Sequence, residues 1–172
     1  MTEGVRREPR RRSEEFEHRY RDELDQLVRL AYVVSGDRSI AEDVVADVVV
    51  RVWARWRRGA VDDLGAYLRR AVVNEVIGRA RRTRRDRERA AKLGFERIVT
   101  IDTAVDDRQT LWTALCELPP DQRAAIALRY LSDLSEADTA ATLGVPVGTV
   151  KSRVARGLAQ LRTHLSEVAP DA

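Results

Sequence analysis

One cysteine is all the thiol chemistry that this chain of 172 residues contains. Cys116 on its own excludes an internal disulfide and any zinc site built from cysteines. It sits among Leu111, Leu115 and Leu118, which reads as a core thiol rather than a reactive one. Aromatic residues are equally sparse at 5%, so a packed interior must rest on Leu, Val, Ile and Ala. That composition favours small helical units. Glycine and proline are few and fall between periodic segments, which again points to helices. No run approaches the ~20 apolar residues of a membrane span. The arginine-rich N-terminus is not followed by an apolar stretch, so no signal peptide is read there, and a cytoplasmic location is expected. His18 and His164 lie in opposite halves with no recognisable nucleophile or metal constellation. Neither an enzyme, nor a metal site, nor a cofactor is expected.

Charge of one sign is missing too, since 31 basic residues nearly cancel 28 acidic ones. What is present is a preference for arginine, with lysine only at Lys92 and Lys151. The planar fork of arginine suits phosphate recognition. A GC-rich coding bias explains the overall preference equally well, so position has to decide.

Residues 1–13 carry charge without apolar period and read as a disordered basic tail. From Glu14, Phe16, Tyr20, Leu24, Leu27, Ala31 and Val34 follow steps of three and four, one buried helical face. Ser35-Gly36-Asp37 breaks the run, and Ser39 with Glu42 has the spacing of a capping box. A second helix continues through Val44, Val48, Val52 and Trp56 to Gly59, after which Asp62 or Asp63 can cap a third. That third helix carries Leu64, Leu68, Val72 and Val76 and then runs into Arg79-Ala80-Arg81-Arg82. Residues 14–83 form one helical unit on this reading, 84–107 a flexible linker, 108–166 a second unit and 167–172 a tail. The fold class is all-α.

The second unit carries a helix-turn-helix signature. Ser135 stands where a short support helix begins, Ala140 allows two helices to approach, and Gly144 suits a left-handed helix end. Pro146 stiffens the start of a last helix, in which Val150 and Val154 point inward. Its other face shows Thr149, Lys151, Ser152, Arg153 and Arg156, donors for phosphates and base edges. A three-helix bundle with a solvated basic face is the plainer alternative; the turn signature together with the charges favours DNA. Trp53, Trp56 and Tyr67 have the helical spacing of core residues rather than of a stacking platform.

Four blocks in order resemble the extracytoplasmic-function sigma factors, of the actinobacterial SigE type. They are Gly36-Asp37 with Ala41 to Val45 and Val52-Trp53; Ala66 to Arg70 through Asn74 to Arg82; Leu118-Pro119-Pro120 with Arg123; and Gly148 to Arg153. The resemblance spans about Glu14 to His164 apart from the linker. It implies that the first unit is sigma region 2 and the second sigma region 4. It further implies that Asp43, Asp47 and Arg51 dock on the clamp helices of the polymerase largest subunit, with the β flap as a further contact of core RNA polymerase. A solvated helix face is what the sequence alone favours for the two aspartates, and Ala46 and Val49 depart from the family's usual Gln and Phe. Arg69, Arg70, Asn74, Arg79 and Arg82, with the loop Gly59 to Asp63, correspond to the reader of the −10 element, the loop holding an extruded base. Asn74 can equally satisfy a hydrogen bond inside its own helix or the core. The last helix corresponds to the −35 reader. An anti-sigma protein is a partner implied by resemblance alone. A stand-alone helix-turn-helix regulator of duplex operators and a protein-binding scaffold are the competing functions.

Overall fold

The computed structural model describes residues 3–92 and 107–168. Among them lie seven helices and no strand: α1 (Glu3–Ser35), α2 (Arg38–Trp56), α3 (Leu64–Lys92), α4 (Asp107–Glu117), α5 (Pro120–Tyr130), α6 (Glu136–Leu143) and α7 (Val147–Val168). The all-α expectation holds for these residues.

Helix boundaries follow local chemistry, with one correction. Asp37, not Ser39, is the N-cap of α2: its backbone is extended and its Oδ1 accepts the Ile40 amide at 2.9 Å. The helix begins two residues earlier than the capping-box spacing suggests, which leaves Ser39 inside the first turn. Asp63 caps α3, accepting from the Ala66 amide at 3.0 Å. Ser135 caps α6 by accepting from Asp138.

Two expected boundaries move outward. α1 is helical from Glu3, so residues 3–13 of the tail expected to be disordered over residues 1–13 are instead part of a helix, and residues 1–2 lie outside the described residues. Apolar period does not extend that far, but Arg12 exchanges hydrogen bonds with Trp56 and thereby ties this stretch to α2. α3 likewise runs to Lys92, through the first residues assigned to a linker, because Arg79 to Arg89 are good helix formers even without an apolar face. The rest of that linker, 93–106, and the tail beyond Val168 lie outside the described residues.

α1, α2 and α3 pack their apolar faces together. Leu27, Leu30, Val34, Val44, Val48, Val52, Leu68, Val72 and Val73 are all at most 2% exposed. Trp56 is buried, and Trp53 packs against Phe16 with ring centroids 4.9 Å apart, so both tryptophans serve packing as their spacing indicated. In the second unit α5 has two faces. Ile126 joins Ala114, Leu118 and Leu161 in a small core of α4, α5 and α7. Ala124, Ala127 and Leu128 belong instead to the core of the first unit, against which Leu134 and Leu143 also pack. The two units therefore share one interior along α5. Tyr32 of α1 stacks on Trp112 of α4 at 4.3 Å between centroids. Arg123, only 6% exposed, lies against the Gly36 turn beside the Cys116 thiol. Cys116 is half-buried there rather than enclosed by leucines, since Leu111 is turned outward. Burial raises the Cys116 thiol pKa above its usual value against the opposing pull of Arg123, which keeps the thiol protonated.

Candidate nucleic-acid interface

α6 and α7 are joined by the turn that a helix-turn-helix requires. Gly144 takes the left-handed conformation (φ 64), where a side chain is strained, and its amide donates to the Ala140 carbonyl. Val145 donates to the same carbonyl at 3.1 Å. α7 then starts with Pro146 accepting from the Thr149 and Val150 amides, and Val150 is fully buried. Val150 and Leu161 fix the rotation of α7, so Thr149, Ser152 and Arg156 turn away from the core, while Arg153, three residues after Val150, stays at its edge with a side chain 21% exposed.

These residues differ in how free they are. Arg156 is exposed and makes no ion pair among the described residues. Lys151 stands at the flank of the face, 3.4 Å from Glu136 of α6. The Ser152 hydroxyl donates to the Thr149 carbonyl at 3.0 Å. Arg153 folds back to Asp121 of α5 at 3.5 Å, and Asp121 also holds Arg81 of α3 at 2.9 Å. One carboxylate thus ties the last helix to the basic end of α3.

On the first unit, α2 exposes Asp43, Asp47 and Arg51 along one stripe at steps of four. Val50 lies beside them at 69% exposure, an apolar side chain off the buried row of Val44, Val48 and Val52. Asp47 and Arg51 are engaged from α3. Arg79 pairs with Asp47 and with Glu75, Arg51 meets Glu75 at 2.9 Å, and Arg82 meets it at 3.2 Å. Two of the three candidate docking residues, Asp47 and Arg51, and two of the candidate −10 arginines therefore form one network centred on Glu75. Sequence reasoning passed over Glu75, although its place four residues before Arg79 and seven before Arg82 is the spacing of helix-surface pairs.

Burial alone pushes the Glu75 carboxyl up, but hydrogen bonds from Arg51 and Arg79 outweigh it and hold the pKa below the ordinary carboxylate value. A depressed carboxylate contributes stability that is complete above its unfolded pKa, about 4.3, and disappears as pH falls through the lower folded value. The difference in unfolding free energy between the wild type and Glu75→Gln should therefore be constant near neutrality and shrink below about pH 4. Urea titrations across that range check this; a gap that stays constant in acid counts against the network.

Of the remaining −10 candidates, Arg69 is drawn to Glu23 of α1 at 3.0 Å and is 22% exposed. Arg70 is exposed and approaches the Gly144 turn. Asn74 is exposed and makes no side-chain hydrogen bond among the described residues. It lines a cavity of about 290 Å³ with Arg51, Arg55, Tyr67 and Glu75. A second cavity of about 590 Å³ separates Val61, Asp62, Asp63 and Arg70 from Asp138, Ala141 and Thr142 of α6, so the loop after α2 faces the helix-turn-helix. Among the described residues no cluster of side chains suits a metal, and no helix is long and apolar enough to cross a membrane.

Residues 19–86 match Sigma-70 region 2, and residues 108–161 match Sigma-70 region 4. The chain is 38% identical over 162 residues to the RNA polymerase sigma-E factor of Streptomyces avermitilis, covering 88% of this chain and 85% of that protein. It is 34% identical over 154 residues to the ECF RNA polymerase sigma factor SigE of Mycolicibacterium smegmatis, covering 86% of this chain and 60% of the relative. A solved structure of the Bartonella quintana sigma factor RpoE, crystallised with the anti-sigma factor NepR, superposes with a TM-score of 0.70 at 33% identity. That match covers 88% of this chain and 97% of the other. With both conserved regions in order and relatives matched over most of their length, the chain belongs to the extracytoplasmic-function sigma factors of bacterial RNA polymerase.

Proposed function

We propose that this chain acts as a promoter-specificity subunit in which α7 reads the −35 element as duplex and α3, with the loop after α2, engages the −10 strand. Thr149, Lys151, Ser152, Arg153 and Arg156 supply the first contact; Arg69, Arg70, Asn74, Arg79 and Arg82 supply the second. Asp43, Asp47 and Arg51 dock on the polymerase clamp helices, with exposed Val50 adding apolar contact, and region 4 meets the β flap. The factor has no catalysis of its own, binds no cofactor and works in the cytoplasm, where polymerase and chromosome are. The Bartonella relative is bound to an anti-sigma factor; a protein of that kind is a natural partner for this chain as well.

The observation that carries the reading is the outward face of α7. Arg156 lies exposed on it, free of ion pairs among the described residues, beside donors at the positive end of a helix. A stand-alone operator-binding regulator accounts for that face but leaves the α2 stripe without a use. Elements 25 base pairs apart lie roughly 85 Å apart along B-DNA at ~3.4 Å per pair. Arg70 and Gly144 are neighbours in this structure, so promoter binding requires the two units to part. Adding the purified chain to core polymerase should produce initiation at defined start sites. Transcription no different from core polymerase alone rejects the reading.

A further inference from the structure

We propose that Arg12 is a positioning residue for the loop that follows α2, setting the turn with which residues 57–63 hold an unpaired promoter base. The inference rests on the −10 reading of that loop given above.

Arg12 lies far from the loop in sequence, yet the two meet at a single atom. Its Nη1 donates to the Trp56 carbonyl at 3.3 Å. The same carbonyl accepts the Gly59 amide at 2.9 Å, the hydrogen bond that closes the turn. Trp56 returns a bond, its indole Nε1 donating to the Arg12 carbonyl at 3.1 Å. The guanidinium also fills the space where a side chain on Gly59 would stand, with Nη1 3.0 Å and Nη2 3.3 Å from the Cβ position. Gly59 has φ +70, so this turn depends on a left-handed residue that nothing in its own chemistry locks in place. A planar, permanently charged group set against it through both terminal nitrogens supplies that lock.

The segment that delivers Arg12 is itself anchored. Phe16, one turn further along α1, packs on Trp53 and Trp56, with centroids 4.9 and 6.2 Å apart. The Arg19 guanidinium covers the Trp56 ring at 5.8 Å. These contacts fix the rotation of α1 and bring Arg12, rather than its neighbour Arg11, to the loop. Arg12 carries no role if this part of the chain is merely a basic tail attracted to phosphates. The hydrogen-bonding pattern assigns it a structural target instead.

The test uses the full chain bound to core polymerase and fork-junction DNA whose single-stranded −10 bases are removed one at a time. The base whose loss most weakens wild-type binding marks the captured position. Arg12→Ala should weaken binding to the intact fork by about tenfold, the scale of one hydrogen bond to a charged group. It should cost little on the fork already lacking that base, because a disordered loop then has nothing to lose. Arg12→Lys, which keeps the charge but not the planar fork, should behave like Arg12→Ala. Gly59→Ala should show the same selective loss. A role in phosphate attraction predicts instead that Arg12→Lys equals wild type and that Arg12→Ala weakens both forks equally; either result overturns the proposal, as does an Arg12→Ala protein indistinguishable from wild type. Wild-type binding that depends on no base in the fork rejects the −10 reading itself, and so separates that failure from failure of the Arg12 assignment alone.

Discussion

Leu128→Ala is expected to lower the unfolding free energy by about 2–5 kcal/mol, the range of large-to-small substitutions at closed core sites. Leu128 is fully buried, but its neighbours are not those of an ordinary region 4 residue. With Ala124 and Ala127 it lies in the core that α1, α2 and α3 build. The substitution therefore opens a cavity where the two units join, and its effects should appear in both. Amide exchange should accelerate at Tyr32 near the end of α1 and in the Gly36 turn that follows it, as well as within α5, because Tyr32 and Gly36 meet Trp112 and Arg123 across the junction. Fluorescence from the stacked Tyr32–Trp112 pair should change before the helical signal is lost. Arg123 makes the junction costly to loosen by halves. Burial lowers its pKa against the opposing influence of Cys116, and its Nε is buried without a hydrogen-bond partner. A guanidinium in that state is tolerated only while its packing is intact. If Leu128→Ala costs under ~1 kcal/mol and leaves exchange in α1 unchanged, the units do not share a core in solution.

Much of this architecture was legible in the sequence. The steps of three and four through Leu27, Ala31 and Val34, and through Val44, Val48 and Val52, mark faces that are buried. The Ser135 cap and the left-handed Gly144 stand where the turn signature put them. What could not be read was any pairing between distant segments. Ala124, Ala127 and Leu128 look like one more apolar stripe, and nothing local says that they face the first unit while Ile126 faces the second. Periodicity also fails where a helix is held by hydrogen bonds rather than apolar burial, as with Arg12 and the start of α1. The capping residue of α2 was misplaced for a related reason. Ser39 and Asp37 both have side chains that can cap, and the extended backbone at Asp37 decides between them.

The candidate contact residues follow from the helix-turn-helix signature and the family resemblance, neither of which shows their states. Spacing put Arg79, Arg82, Asp47 and Arg51 on helix surfaces; it could not show that all but Asp47 converge on Glu75, and that Asp47 joins through Arg79. An arginine that already pairs with carboxylates must exchange those partners for phosphate, and the gain on binding DNA is reduced by what is given up. Arg153 is in that position through Asp121. Arg156 is not.

Arg156→Ala should consequently weaken promoter binding more than Arg153→Ala. If Arg156 reads a base edge the loss is about 1–3 kcal/mol, roughly five- to 150-fold. The side chain lies on the face of α7 opposite buried Val150 and Leu161, in the same row as Thr149. It has no ion pair to surrender among the described residues, so its contact with DNA registers almost in full. Fold stability should be nearly unchanged, since an exposed arginine without partners contributes little to the folded state. Two further measurements decide what Arg156 touches. A base contact relaxes discrimination at one position of the −35 element and preserves it elsewhere. A phosphate contact lowers affinity evenly across promoter variants and makes the slope of log affinity against log salt shallower by about one. In the wild type the salt response of Arg153 has a second component, absent from Arg153→Ala, because raising salt also weakens the bond to Asp121 that competes with DNA. Equal losses for the two variants would mean that Asp121 does not hold Arg153 before DNA arrives, and binding unaffected by Arg156→Ala would take this residue off the reading face.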